Sequence, residues 1–355
     1  TSESALKMFL IGAMSSAFIL FGISLLYGIT SSTRIEDVVS TLANPGTYGP
    51  LHILAVMFLL VGFGYKMSAV PFHAWAPDVY QGAPTTVTTF LAAGSKAMGF
   101  AAVIRLIVAG LGNIDVIWGS LFALLAVLTM TLGNVVALVQ TNMKRMLAYS
   151  SIAHAGYIMI ALAAVASVPN PTLVGSLNYT VSEFSIAAAE FHVLTHALMK
   201  IVAFTIVIVV AASIKSENIN DYAGLRKKHP WLTFGLTISL LSLQGVPPLA
   251  GFVSKFLLFW AAIYADLAWL AIVGVINSGL SIFYYLRIIK LMIVDDAIED
   301  SMDTTTVSMD RLAPYQTPLS YQITIAASVF LVIIVGIIPA PFIEFALNAA
   351  AILFA

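Results

Sequence analysis

The chain contains no cysteine. Disulfides, thiolate-held iron–sulfur clusters and Cys-ligated zinc are therefore excluded within it, and any redox centre it serves belongs to a partner. Charge is scarce as well: 9% of residues are Asp, Glu, Lys or Arg, against roughly 25% in an ordinary soluble domain. With 60% hydrophobic residues and a net charge of −1, a water-soluble fold is excluded, and no basic surface is present to track nucleic-acid phosphates. A Gly-rich phosphate loop, a nucleophile elbow and a metal-spaced His/Cys cluster are missing too. The opening TSESALK has neither an initiator Met nor the basic and apolar regions of a signal peptide, so we expect the chain to be part of something longer.

What the sequence has in abundance is apolar length. Nine segments approach the ~20 residues needed to cross a bilayer: 8–29, 51–82, 84–109, 114–139, 145–166, 183–212, 232–264, 267–293 and 321–343. An all-α polytopic membrane protein is expected. Two segments are too long and interrupted, 51–82 at SAVPFHAWAP and 232–264 at LQGVPPLAGF. Proline removes a backbone donor and clashes with the preceding turn, so Pro71, Pro247 and Pro248 mark broken helices. Freed backbone groups are tolerated in lipid only where they are buried in protein or line a wet cavity. The breaks are five spans apart, an odd offset that inverts orientation, and each lies near a lysine. That pattern predicts an inverted-topology repeat with discontinuous helices at a functional centre.

Cytoplasmic segments hold an excess of Lys and Arg. Threading the spans puts Lys7, Lys144, Arg145, Lys215, Arg226, Lys227, Lys228, Arg287, Lys290 and Arg311 on or near one side, and Arg34 and Arg105 near the other. The loops 140–144, 213–231 and 294–320 are thus expected in the cytoplasm, with the protein in a prokaryotic cytoplasmic membrane. Glutamate and aspartates of DDAIED, 295–300, are expected to form a solvated face or a docking edge there. Four basic residues remain inside spans: Lys66, Lys96, Lys200 and Lys255.

A lysine at the centre of a span costs a few kcal/mol, and such lysines usually face a bundle interior or water. The alternative is snorkelling from near a helix end. Lys96 lies about 12 residues into its span, roughly 18 Å along at 1.5 Å per residue, which is too deep to snorkel easily. Lys200 is comparably deep, and Lys66 and Lys255 lie beside breaks that admit water. Proton transfer is the chemistry expected of all four.

Histidines share the layer. In FHVLTHALMK, His192, His196 and Lys200 recur at i, i+4 and i+8 and form one stripe of a helix. The stripe admits two readings, a proton relay or hydrogen-bonded packing. Haem is poorer, because paired axial histidines normally come from opposing helices and no such pair is evident from sequence. His73, in the first break, and His154, within a span, join the proton-transfer candidates. Glu190 points away from the stripe and is expected to pair with another helix; Asp78 is expected to cap or fix its loop.

GYKMSAVPFHAWAPDVYQGAPTTVTTFLAAGSKAMGF, TNMKRMLAYSSIAHAGY and GVPPLAGFVSKF together closely resemble subunit N of complex I and its relatives, the antiporter-like proton-pumping membrane subunit, including subunit N of archaeal reduced-deazaflavin dehydrogenases. The resemblance runs through nearly the whole chain, and PFHAWAPDVYQGAP is the block where sister subunits L and M and the Mrp antiporters diverge. It implies fourteen spans in two inverted five-helix repeats, with the seventh and twelfth helices broken. Residues 1–110 then belong to the first repeat, 111–294 to the second, 295–320 to a cytoplasmic loop and 321–355 to a C-terminal helix. Lys66, Lys96 and Lys255 take the places of the family's broken-helix and central lysines. The family's glutamate on helix five would precede Thr1, and THALMK around His196 and Lys200 looks more like the L and M pattern.

The resemblance implies redox-coupled proton translocation within a complex I-like NADH, reduced-deazaflavin or ferredoxin:quinone-type oxidoreductase. Quinone or methanophenazine, flavin and iron–sulfur clusters would sit in partner subunits, with no cofactor or metal in this chain. Its partners would be other membrane subunits, antiporter-like sisters among them, and the lipid bilayer. Two competing expectations are an autonomous Mrp-like cation/proton antiporter and a non-pumping scaffold that anchors the complex.

Overall fold

A computed structural model describes residues 2–42, 49–110, 115–168, 172–174, 178–295 and 317–354. Residues 111–114, most of the 294–320 loop, Arg311 and all of the acidic run except Asp295 lie outside the described residues. In chain order the helices are α1 (Ser2–Thr30), α2 (Ile35–Leu42), α3 (Pro50–Met67), α4 (Trp75–Gly82), α5 (Thr85–Phe90), α6 (Lys96–Gly110), α7 (Asp115–Leu138), α8 (Met143–Ser167), α9 (Val181–Ile214), α10 (Leu225–Lys228), α11 (Pro230–Gln244), α12 (Ala250–Tyr264), α13 (Ala268–Ile293), α14 (Leu319–Ile337) and α15 (Ala340–Phe354). Helices are what an apolar solvent demands, since each satisfies its own backbone.

Among the described residues, eight helices are long and apolar enough to cross a membrane, and the protein is an integral membrane protein. The segment expected at 232–264 is not among the eight because it is interrupted: α11 and α12 have 15 residues each, about 22 Å apiece at 1.5 Å per residue. Two boundaries differ from expectation. The segment 84–109 is not one α-helix, because a π turn, Leu91–Ser95, separates α5 from α6. A π turn holds an extra residue, so everything after it, beginning with Lys96, is rotated relative to an unbroken helix. The C-terminal segment 321–343 is cut at Ile338 and Pro339, and a further apolar helix, α15, follows. Proline at 339 has no amide hydrogen to continue α14.

The first break follows Met67. Ser68 turns left-handed (φ 60°), and the amide of Ala69 closes back on the Gly64 carbonyl at 2.8 Å. The freed groups find partners inside the protein: Val70 N–H donates to Thr129 Oγ1 of α7 at 3.1 Å, and the Trp75 indole donates to the Tyr65 carbonyl at 3.0 Å. The second break follows Gln244. Gly245 sits at φ 95°, a conformation that glycine alone adopts freely, and the Gly251 amide donates to Ser242 Oγ at 3.0 Å. Val70–Pro71 and Pro247–Pro248 are both cis.

The core is organised around α8. In its most apolar stretch 83% of residues are buried, against 17% for α1. Two glycines bring α7 against it: a Cβ on Gly133 would come within 2.6 Å of the Ala153 backbone, and one on Gly156 within 2.6 Å of the Met130 backbone. Small residues are how helices approach closely where no hydrophobic force drives them together. The arrangement leaves α8 with protein on nearly every side, which is where buried polar groups can be satisfied.

Candidate functional site

Along α8, Ser150, Ser151, His154 and Tyr157 recur at helical spacing and are all buried. Lys96, 3% exposed, reaches them from α6: its ammonium donates to the Ser151 carbonyl at 2.9 Å and to Ser151 Oγ at 3.0 Å. Lys200, fully buried on α9, donates to the Leu147 carbonyl at 2.9 Å and to Ser150 Oγ at 2.8 Å. The histidine stripe lies between them. Ser151 Oγ faces His196 Nε2 at 3.4 Å, the His154 and His196 rings are 5.0 Å apart, and His154 Nδ1 meets His192 Nε2 at 3.0 Å. His192 Nδ1 is buried with no hydrogen-bond partner.

Lys255, 2% exposed on α12, closes the line. Its ammonium donates to the Gln244 carbonyl at 2.9 Å and to Ser278 Oγ at 2.8 Å, and stands 4.7 Å from the Tyr157 ring centroid. A carbonyl at a helix C-terminus is one of the orphans that a cation caps well. A second set of polar groups flanks the axis. Ser150 Oγ and Tyr285 OH are 2.5 Å apart; Tyr284 OH donates to Asn134 Oδ1 at 3.0 Å, and Asn134 Nδ2 donates to Tyr157 OH and to Asn277 Oδ1, both at 3.3 Å.

Burying an ammonium is costly unless it is hydrogen-bonded. Here neutral carbonyl and hydroxyl oxygens do that work: no carboxylate lies within ion-pairing distance of Lys96, Lys200 or Lys255 among the described residues. The structure thus brings together Lys96, Lys200, Lys255, His154, His192 and His196. It does not bring Lys66 or His73 into the same cluster. Lys66 is exposed in a groove of about 500 Å³ lined by α1, α3, Trp75 of α4 and the π turn before α6, and has no hydrogen-bond partner among the described residues. His73, half-buried in the first break, has its Nδ1 unpaired.

Three expectations need correction. Paired imidazoles from opposing helices do exist, His154 and His192, but their nitrogens bond each other at 3.0 Å. A metal between them would need about 2.0 Å to each nitrogen, so the pair leaves no space for an axial iron. Glu190 does face away from the stripe, but it lines a groove of about 450 Å³ with Arg105 and has no partner among the described residues, rather than pairing with another helix. Lys144, counted as a loop cation, is 4% exposed in the first turn of α8, bound to Glu217 at 2.7 Å and to the Ala83 carbonyl at 3.1 Å. Asp78 fixes its loop as expected, held by Lys7 at 2.7 Å and Arg145 at 2.6 Å.

Sequence reasoning passed over the hydroxyl and amide partners. The signal for them was there on α13, where Asn277, Ser281, Tyr284 and Tyr285 share one helical stripe.

Broken helices, buried lysines and a histidine line define an antiporter-like membrane module. Residues 1–281 match the family described as NADH:quinone oxidoreductase/Mrp antiporter, TM, and the chain belongs to it. NAD(P)H-quinone oxidoreductase subunit 2 of Trichodesmium erythraeum is 46% identical over 85% of this chain and 55% of its own length. F(420)H(2) dehydrogenase subunit N of Methanosarcina mazei is 41% identical over 99% of this chain and 67% of its own length. Among solved structures, a chain of respiratory complex I from Thermus thermophilus with bound Aureothin superimposes with a TM-score of 0.75 at 34% identity, covering 96% of this chain and 68% of that one. The chain spans about half the length of the first of these relatives.

Proposed function

We propose that this chain is the membrane part of a proton-translocating subunit in a complex I-like quinone-type oxidoreductase. The observation that carries the reading is the line of three buried lysines and three imidazoles with no carboxylate within ion-pairing distance among the described residues. Every charge that the axis takes up is then a proton on nitrogen. Each added positive charge repels the next, so protons advance by displacement and not by accumulation. Lys66 and His73, at the first break, are the approach from the cytoplasmic side; Lys96, the histidines and Lys200 are the middle; Lys255 at the second break is the release end. Residues 1–110 and 111–294 serve as parts of two inverted repeats, and the loops 140–144, 213–231 and 294–320 face the cytoplasm.

Redox chemistry belongs to partner subunits, which hold the flavin, the iron–sulfur clusters and the quinone or methanophenazine. The donor is NADH, reduced deazaflavin or ferredoxin, and antiporter-like sister subunits lie alongside. The relatives named for quinone oxidoreductase and F(420)H(2) dehydrogenase support this assignment over an autonomous Mrp-like antiporter; ion flux through the isolated chain would reverse that preference.

Arginine stays protonated in proteins whereas lysine exchanges its proton. Lys96→Arg is therefore expected to impair proton uptake nearly as much as Lys96→Ala, measured in vesicles and normalised to assembled complex and electron flux. An Arg variant that pumps normally removes Lys96 from the proton path.

A further inference from the structure

Serine inside a membrane helix normally donates to the carbonyl one turn back. This chain does so at Ser185, to Val181 at 2.7 Å, and at Ser167, to Ala163 at 2.7 Å. Ser151 does not. Its hydroxyl is fully buried, accepts from Lys96 Nζ at 3.0 Å and faces His196 Nε2 at 3.4 Å. Lys96 has no direct bond to any histidine, so this one oxygen is its link to the stripe. The Tyr80 phenol of α4 is buried beside Ser151 as well.

We propose that Ser151 is a proton-relaying residue, the junction through which Lys96 passes its proton to His196. The step balances without an outside reactant: an N–H bond of the Lys96 ammonium breaks as its proton goes to Ser151 Oγ, and the serine's own proton leaves to His196 Nε2. Lysine ends as the amine, serine is unchanged and the imidazole becomes imidazolium. The reverse orientation of the hydroxyl resets the junction. This inference rests on the lysine–histidine translocation reading proposed above.

The test compares Ser151→Ala, Ser151→Thr and Lys96→Ala in the assembled complex, reading protons taken up per electron in vesicles. Ser151→Ala is expected to lose as much of that ratio as Lys96→Ala, and Ser151→Thr, which keeps a hydroxyl, to restore most of it. Normal pumping by Ser151→Ala beside a defective Lys96→Ala overturns the relay alone; normal pumping by both overturns the reading beneath it. Equal loss in the Ala and Thr forms marks a packing role and also overturns the relay. So does failure of Ser151→Ala to assemble, because a group needed only to pass a proton is not needed to fold.

Discussion

The two breaks use the same backbone device and cap it differently. At the first, the Tyr65 carbonyl is capped by neutral donors, the Ser68 amide and the Trp75 indole, and Lys66, just upstream, is turned out into an open groove. At the second, the freed Gln244 carbonyl is capped by the ammonium of Lys255, which lies downstream on α12 and is buried. The lysine and the break thus come in opposite order along the chain. A helix end capped by indole keeps its cap whatever the protonation state nearby, whereas one capped by ammonium loses part of it when the proton leaves. The first interruption is electrically fixed; the second would respond to loss of a proton from Lys255.

That contrast gives the largest expected effect. Lys255→Ala removes both the proposed carrier and the cap, and should abolish this subunit's share of protons pumped per electron. Lys66→Ala leaves its break capped and a groove of about 500 Å³ in place, so a partial loss is expected. Equal losses in vesicle uptake would erase the distinction.

A smaller effect is expected from closing the breaks. Replacing Pro247 and Pro248 with Ala restores a donor and lets α11 run toward α12; pumping should fall more than assembly does. Pro71→Ala should lower pumping less, because Lys66 is already outside. Unchanged proton-to-electron stoichiometry in an assembled Pro247/Pro248 double variant would remove the second break from the mechanism.

The smallest effect concerns Asp78, on α4 and outside the eight membrane-crossing helices. Burial alone would push its carboxyl up, but hydrogen bonds and charge from Lys7 and Arg145 outweigh this and hold it below its ordinary 3.8. A depressed folded value means the stabilisation is present above the ordinary value and is lost as pH falls through the depressed one. Because the pairs are part-exposed, the ties are worth about 1 kcal/mol or less each. Acid should therefore loosen α4 slightly, seen as faster amide exchange at residues 75–82, and Asp78→Asn should show the same exchange at neutral pH. No change in either would disconnect the ion pairs from the break.

Both breaks were legible because proline acts locally, and the four lysines were legible because the bilayer makes a charge conspicuous. The polar partners were harder. Ser150, Tyr285 and Asn134 are unremarkable in an apolar run, and their importance depends on how α7, α8 and α13 are rotated against one another. Helical periodicity gives a face but not the neighbour it meets. The π turn before Lys96 was hidden for the same reason, since LAAGS reads as ordinary helix and the extra residue is set by packing. Lys144 was misplaced because its partner, Glu217, is distant in sequence.

Gly133 and Gly156 hold α7 and α8 backbone to backbone, so α8 cannot turn about its axis without carrying α7 with it. Collective helix motion of that kind takes microseconds to milliseconds, whereas a side-chain rotor turns in picoseconds to nanoseconds. The step at Ser151 is then clocked by the spin of one hydroxyl on a stationary post, leaving slow movement to the interrupted helices on either side.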